Sequence, residues 1–359
     1  MPQPTSANAA QSAGETPWPA AELERVAACP ACGGTGRELL HRDLVDSVFC
    51  AAAGRWTLYR CTRCLSAYLD PRPSQASIGR AYAVYYTHAT ERGREARRPA
   101  GGLRALGLAL SHGYVNARYG TRRQPSSRLG PWLAPLLPTR RQKRDAEFRF
   151  LPRPRPGQRL LDVGCGNGDY LRHAADAGWQ AVGIDADEQA VDVARQRGMD
   201  ARLGGIELFA GQAGCFDAIT LSHVLEHVHE PVEFLQAVHR LLRPGGVVFL
   251  DTPNIQSRGA RRWGVHWRGL ETPRHLVIFS RSALLGMLRA AGFVAIEHKR
   301  RTAVRKSMDL ASLRLRAGKS PYGREPARLP LISRLRLWRP TGRVEDDEFL
   351  TVLAYKAGP

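Results

Sequence analysis

The chain has 359 residues, 43% of them hydrophobic and 24% charged, with seven cysteines. This composition excludes a wholly disordered, collagen-like or disulfide-scaffold protein and leaves room for two domains at roughly 150 residues each. Its 53 Lys and Arg against 33 Asp and Glu give a net charge of +20, which points to nucleic acid or an anionic membrane, although 48 of the cations are Arg and an Arg-biased composition accounts for the charge equally well.

The charge is unevenly placed. Residues 90–160 hold 17 cations against 4 anions, and residues 298–343 hold 14 against 2. The remaining chain is slightly acidic.

In chain order, residues 1–24 read as a disordered tail rich in Pro, Ala and Ser, without the basic and apolar regions of a secretory leader. No run of about 18 apolar residues occurs, so no membrane span is expected. Few cysteines, odd in number, predict a reduced, cytoplasmic setting.

Residues 25–88 form the first expected domain. Cys29-Pro-Ala-Cys32 is followed after 28 residues by Cys61-Thr-Arg-Cys64. Each C-x2-C puts two thiolates on a tight turn, and two such turns can close a tetrahedral four-thiolate site, the signature of structural Zn2+. Gly33 and Gly34 supply the open backbone of the first turn, and a strand such as Trp56–Tyr59 fits the spacer. Four thiolates leave no open position for catalysis, and no βαβ pattern surrounds either pair as a redox motif requires. Two unrelated cysteine pairs are the alternative. Pro71 and Pro73 then stop the chain, and Ile78–Tyr86 is Tyr-rich and suited to pack back on this module.

Residues 89–157 read as a basic helical linker, with helices at Leu103–Tyr119 and from Arg140 to Phe150, closed by Pro152, Pro154 and Pro156. From residue 158 to 359 strands and helices alternate. Strands are expected at Leu160–Val163, Ala181–Ile184, Ala201–Leu203, Phe216–Leu221, Val247–Leu250, Phe293–His298 and Phe349–Tyr355. Helices are expected at Gly168–Ala177, Glu188–Arg197, Pro231–Leu242 and Arg281–Ala291, with a basic insertion at 300–343. Short apolar strands separated by amphipathic helices predict an α/β, doubly wound parallel sheet.

The loop Asp162-Val-Gly164-Cys165-Gly166-Asn-Gly168 joins the first strand to the first helix. Its G-x-G-x-G spacing is neither the dinucleotide G-x-G-x-x-G nor a P-loop. An acid just before the glycines repels a pyrophosphate and suits a cationic ligand carrying a ribose, namely S-adenosylmethionine. Asp185, at the end of the second strand and about 20 residues on, stands where an acid hydrogen-bonds ribose hydroxyls; Asp187 fits a helix N-terminal acid better. Next come Leu221-Ser-His223-Val-Leu-Glu226-His227, the turn Leu242-Arg-Pro-Gly-Gly246, and Ala290-Ala-Gly-Phe293.

Together these motifs resemble class I S-adenosylmethionine-dependent methyltransferases over residues 145–300 and 348–356. Cys29–Gly33, Arg60–Cys64, Pro71–Ser74 and Tyr82–Tyr86 resemble a bacterial subgroup with an N-terminal zinc module, whose members modify sugars, cell-surface glycans and natural products. The resemblance implies a Rossmann-like seven-stranded sheet with an antiparallel last strand beside a small zinc-ribbon-like module. It implies that Asp162, Gly164 and Gly166 contact the methionine end of the cofactor and Asp185 the ribose; Cys165, Gly168, Ala186 and His223 complete the expected cofactor-binding set. One departure stands out: many members carry an Asp after the third strand that reads the adenine amine, whereas here the stretch is Leu203-Gly-Gly205-Ile206-Glu-Leu, so the adenine contact falls to the backbone or is lost.

Methyl transfer needs alignment and, for a hydroxyl or amine acceptor, a base. His275 is the first candidate, with His223 and His266 behind it. His223 and His227, at i and i+4, suggest a shared helix face, but a metal there lacks an evident third ligand. The segment Trp263–Leu276, with Trp263, Trp267, Arg268 and Arg274, suits stacking on a sugar or binding an anionic acceptor; a structural loop with packed Trp is the other reading. The expected reaction is O-methyl transfer to a small-molecule, sugar or glycan acceptor, with a peripheral contact to an anionic membrane surface compatible with the basic blocks. An RNA or protein methyltransferase rests on the charge alone, because no RNA-binding motif accompanies it. An inactive zinc-dependent interaction module is opposed by the intact Asp162, glycine and Asp185 set.

Overall fold

The computed structural model describes residues 17–82, 102–323 and 343–359. Expectations for residues 1–16, 83–101 and 324–342 lie outside these. Order begins ahead of residue 25: Trp18 is buried edge-on against Trp56, with ring centroids 5.5 Å apart. A single aromatic anchor holds a segment whose Pro and Ala content reads as tail. Strand β1 (Leu23–Glu24) pairs with β5 (Arg72–Pro73).

The N-terminal module is an antiparallel meander of β2 (Arg37–Leu44), β3 (Trp56–Cys61) and β4 (Ala67–Leu69). Its first cysteine turn places Gly33 at φ +71°, a conformation that costs glycine nothing. Leu65 adopts φ +63° after the second.

Three helices follow: α1 (Leu103–Tyr119), α2 (Gly130–Leu133) and α3 (Pro138–Glu147). α1 docks through Val115 and Tyr119 in a cluster with Phe148, Trp179 and Phe249. Gly113 and Gly130 allow α1 and α2 to touch backbone to backbone. A Cβ on Gly113 would lie 1.8 Å from the Ser127 carbonyl oxygen.

The large sheet holds β6 (Arg159–Val163), β7 (Gln180–Asp185), β8 (Ala201–Leu203), β9 (Phe216–Ser222), β10 (Leu242–Pro253), β12 (Phe293–Lys299) and β13 (Phe349–Lys356). Its order is β12-β13-β10-β9-β6-β7-β8, and β13 runs antiparallel to both β10 and β12. This is the expected doubly wound sheet with a reversed last strand. The helices between strands are α4 (Asp169–Ala177), α5 (Glu188–Gln196), α6 (Pro231–Leu241), α7 (Arg258–Trp263), α8 (Arg281–Ala290) and α9 (Arg305–Arg316). Asp187 caps α5, accepting from the Gln189 and Ala190 amides at 3.0 and 3.2 Å, as its position predicts. The Pro-Gly-Gly motif is a register irregularity inside β10 rather than a turn ahead of it. α9 turns the start of the basic insertion into ordered structure.

The two units are not separate. β11 (Val277–Ile278), from the loop after β10, pairs with β4, Val277 opposite Tyr68 and Ile278 opposite Ala67. It thereby completes a four-stranded sheet β11-β4-β3-β2. The Leu69 amide donates to the Leu276 carbonyl at 3.1 Å, and the Leu276 amide to the Glu226 carbonyl at 2.8 Å. A buried ion pair fixes the same loop. Arg274 donates to both oxygens of Asp46, at 3.0 and 2.6 Å, with neither side chain exposed. Asp46 also accepts from the Val48, Phe49, Ala51 and Ala52 amides, and the Arg274 guanidinium lies 4.1 Å from the Phe49 ring centroid. Arg274 is therefore structural, not an acceptor ligand.

Removing one partner of such a pair strands the other charge in a low-dielectric interior. Asp46→Ala lowers the unfolding free energy in urea by roughly 3–5 kcal/mol. An Asp46→Ala/Arg274→Met double variant loses less than the sum of its singles; additivity would mean that the two groups do not interact.

Candidate active site and thiolate cluster

A cleft of about 1020 Å3 opens at the carboxyl ends of β6, β7 and β9, where doubly wound sheets bind ligands. Gly164 and Gly166 line it at φ +69° and +51°. A Cβ on Gly164 would come within 2.9 Å of Val224, so the loop must lie this close to the wall. Asp185 and Ala186 line it too. Asp185 accepts from the Gly166 amide at 2.7 Å and the Asp187 amide at 3.0 Å. Burial pushes its pKa up, and these amides work against that. Gly204 and Gly205 line it as well, and the Gly205 amide donates to the Glu207 carboxylate at 2.7 Å.

Three residues of the expected cofactor set lie beneath the cleft instead of lining it. Asp162 is fully buried, bonded to Arg149 and, at 2.8 Å, to the Thr220 hydroxyl; burial raises its pKa against the pull of Arg149. Cys165 is buried where its sulfur would stand 2.6 Å from a Cβ on Gly183, and burial pushes its thiol up. Gly168, at φ +80°, turns the chain into α4 under Ala194 and Met199. Asp162 and Gly168 thus hold the loop's shape.

Across the cleft stand Tyr82, His223, His227, Arg268, Glu271, His275 and Phe349. His223 sits at φ +56°, and only a short 3-10 turn, Leu225–His227, follows. His223 and His227 therefore do not share a helix face. His223 Nδ1 lies 3.1 Å from Glu226 Oε1, and Nε2 3.5 Å from Asp251. Burial alone lowers its pKa, but the Glu226 bond and the two carboxylates outweigh this and raise it. The carboxylates of Glu226 and Asp251 thus favour the protonated ring.

His275 is the opposite case. It is buried, and Nδ1 sits 2.8 Å from the Gly269 carbonyl, to which it can only donate. The lone pair then falls on Nε2, 4.0 Å from Glu226 and 3.9 Å from Glu271. Burial pushes its pKa down to about 4 despite those carboxylates, so the ring is neutral at neutral pH. Its ring meets His227 edge-on at 4.8 Å, and His227 Nδ1 lies 2.9 Å from both the Tyr82 hydroxyl and the Arg274 carbonyl. Tyr82, expected to serve the zinc module, faces the cleft. His266 ends the 3-10 turn Gly264–His266 outside the cleft lining.

The two tryptophans expected over the site, Trp263 and Trp267, are absent from the lining. Trp263 and Trp267 are buried and donate to Asp309 and Glu348 at 2.6 and 3.0 Å. Arg268 lines the cleft but is tied to Glu271 and Tyr322. α9 contributes Ser307, Met308 and Ala311 as a further wall.

At the N-terminal module Cys29 Sγ lies 3.6 Å from Cys64 Sγ, and Cys32 Sγ 3.6 Å from Cys61 Sγ; all four sulfurs lie within 4.8 Å of one another. Disulfides need about 2.05 Å. A tetrahedral ion with bonds of about 2.3 Å needs sulfurs about 3.8 Å apart, so the set fits such an ion. Glu226, His227 and His275 also present ligand atoms within 4.8 Å.

Neither Glu226, although it stands within the His223–His227 motif, nor Glu271 was singled out from the sequence, because a lone acid carries no spacing signal. Burial would raise the Glu226 pKa, yet the His223 bond and charge hold it at about 2. A carboxylate depressed from its unfolded value stabilises the fold above that value, and the contribution is lost as pH falls towards the folded pKa. Unfolding free energy should therefore fall by about 3 kcal/mol from this group between pH 5 and pH 2. Denaturation of Glu226→Gln across that range should show the slope reduced; an unchanged slope would contradict the assignment.

Residues 138–298 match the family model of a methyltransferase domain. The ubiquinone biosynthesis O-methyltransferase of Xanthomonas oryzae is 44% identical over 105 residues, 27% of this chain and 44% of that protein. That of Methylocella silvestris is 32% identical over 166 residues, 41% of this chain and 65% of that protein. The chain thus spans less than two thirds of the length of these relatives. A solved S-adenosylmethionine-dependent methyltransferase from Mesorhizobium loti is 20% identical, covering 60% of this chain and 98% of that one with a TM-score of 0.41. Residues 138–298 of this chain are thus a methyltransferase domain.

Proposed function

We propose that the protein transfers a methyl group from S-adenosylmethionine to a hydroxyl of a small-molecule acceptor, a sugar or glycan hydroxyl included. The observation that carries this reading is His275: a buried imidazole that lines the same cleft as the glycine loop and Asp185, with Nδ1 engaged by the Gly269 carbonyl so that Nε2 is left as the acceptor. The volume of about 1020 Å3 lies at the top of the ~300–1,000 Å3 range of ligand pockets, room for a cofactor and a small acceptor together. The curated relatives named as O-methyltransferases support oxygen as the accepting atom.

Bound S-adenosylmethionine supplies an electrophilic methyl on a sulfonium. Gly164 and Gly166 let the backbone approach it, and Asp185 accepts ribose hydroxyls. On the acceptor side His275 Nε2 takes the hydroxyl proton. Glu226 and Glu271, both about 4 Å away, steady the imidazolium as it forms. His223 and Arg268 offer donors to polar groups of the acceptor. Cys29, Cys32, Cys61 and Cys64 hold a structural zinc, which cross-links the module and takes no part in the chemistry.

Transfer of labelled methyl into hydroxylated small molecules tests the reading. His275→Asn lowers kcat by about 10²–10⁴-fold with cofactor affinity unchanged, whereas Asp185→Ala weakens cofactor binding by roughly 10–100-fold. The active base is the neutral form, so activity is lost as pH falls through its pKa; with His275 at about 4 the acidic limb of kcat/KM lies well below pH 6. A limb at about 6.5, the ordinary value of an imidazole, or undiminished transfer by His275→Asn, would contradict the assignment.

A further inference from the structure

The helices ahead of the large sheet carry an apolar surface that faces solvent. Trp132 is 80% exposed, Leu103 88% and Leu136 72%. Leu106, Leu108, Leu129, Leu133 and Leu137 are exposed as well. Eight of the fifteen exposed large hydrophobic residues among the described ones fall within residues 103–137.

Their spacing is helical. Leu129, Trp132, Leu133, Leu136 and Leu137 recur at i, i+3, i+4, i+7 and i+8, along α2 and the 3-10 turn Ala134–Leu136 that continues it. On a core-facing helix such a stripe is buried. Here it points outward, while Gly130, on the same turn, is the buried contact with α1.

Charge selects the occupant. From residue 103 to 144 the chain contains no Asp or Glu. Arg104, Arg118, Arg122, Arg128, Arg140, Arg141 and Lys143 are exposed on these same helices and the turns between them. Leucines and a tryptophan rimmed by arginines are the composition of an element that lies in a membrane interface. The apolar half has no use against a phosphate backbone, where affinity comes from cations, and a second copy of the chain would set this basic surface against itself. No helix among the described residues is long and apolar enough to cross a membrane, so the contact is peripheral.

We propose that α1, α2 and α3 form a docking surface for an anionic lipid bilayer, with Trp132 and the leucines inserted among the acyl chains and the arginines on the headgroups. The surface also connects to the cleft. The Thr302 hydroxyl donates to Gln142 of α3 at 2.8 Å, and Thr302 begins the segment leading into α9, a wall of the cleft. Seating α3 on a bilayer therefore sets the orientation of the cleft to that surface.

Flotation of the full-length protein with phosphatidylcholine vesicles, with and without about 30% phosphatidylglycerol, tests this. Binding should require the anionic lipid and weaken with added salt. Arg140→Glu/Arg141→Glu/Lys143→Glu should reduce it by roughly tenfold or more, and Trp132→Glu/Leu136→Glu should abolish it. Both variants change only exposed side chains, and an unchanged unfolding midpoint shows the fold intact. Equal binding to neutral vesicles, or binding that survives both variants, would overturn the proposal. So would RNA binding without vesicle binding, or a dimer that Trp132→Glu/Leu136→Glu dissolves while vesicles are ignored.

Discussion

Asp46 and Arg274 meet in a fully buried bidentate pair across 228 residues of sequence, and the acceptor half of the cleft depends on that contact. Asp46 organises its own loop through four backbone amides, so its carboxylate is rigid before Arg274 reaches it. Arg274 is followed directly by His275, and Leu276 is held from both sides, by Leu69 of the module and by Glu226 of the large domain. A buried charge has few tolerable positions, so the pair fixes the loop more tightly than apolar packing would. The cysteine-bearing module therefore acts as a jig for the histidine, although it contributes no group to the chemistry.

The two sides of the cleft are built by different physics. The cofactor side is local: a glycine loop, a carboxylate about 20 residues on, and amide donors between them. The acceptor side is a cluster of titratable groups in a low-dielectric pocket, where position decides protonation. Two histidines beside the same Glu226 carboxylate are driven apart. His223 bonds to it directly, which favours its protonated form, while His275 stands about 4 Å off with its Nδ1 on a carbonyl and is pushed down by burial. Separating the pKa values of neighbouring groups is how one pocket offers a donor and a base at the same pH.

What was legible in the sequence follows the same division. Strands, helices, the cysteine turns and the Asp185 position all rest on periodicity or short spacing, and the structure places them within a few residues of expectation. The β10 irregularity was read as a turn because Pro-Gly-Gly carries the same local signal in both settings. Arg274, Trp263 and Trp267 looked like ligands for an acceptor because composition cannot tell a buried arginine with a distant partner from an exposed one. The pairing of β11 with β4 was invisible for the same reason: a two-residue strand has no pattern, and its partner lies about 200 residues away. Trp18 hid in a tail-like stretch, and Glu226 between two histidines that drew the attention.

The central claim is that the four-cysteine module positions the acceptor side while leaving the cofactor side to the large sheet. Removal of bound metal with a chelator, followed by measurement of both cofactor affinity and methyl transfer on the same sample, tests it most directly. The account predicts that transfer is lost and cofactor affinity retained, with transfer restored to the starting level by zinc. Full transfer activity in metal-free protein would contradict it.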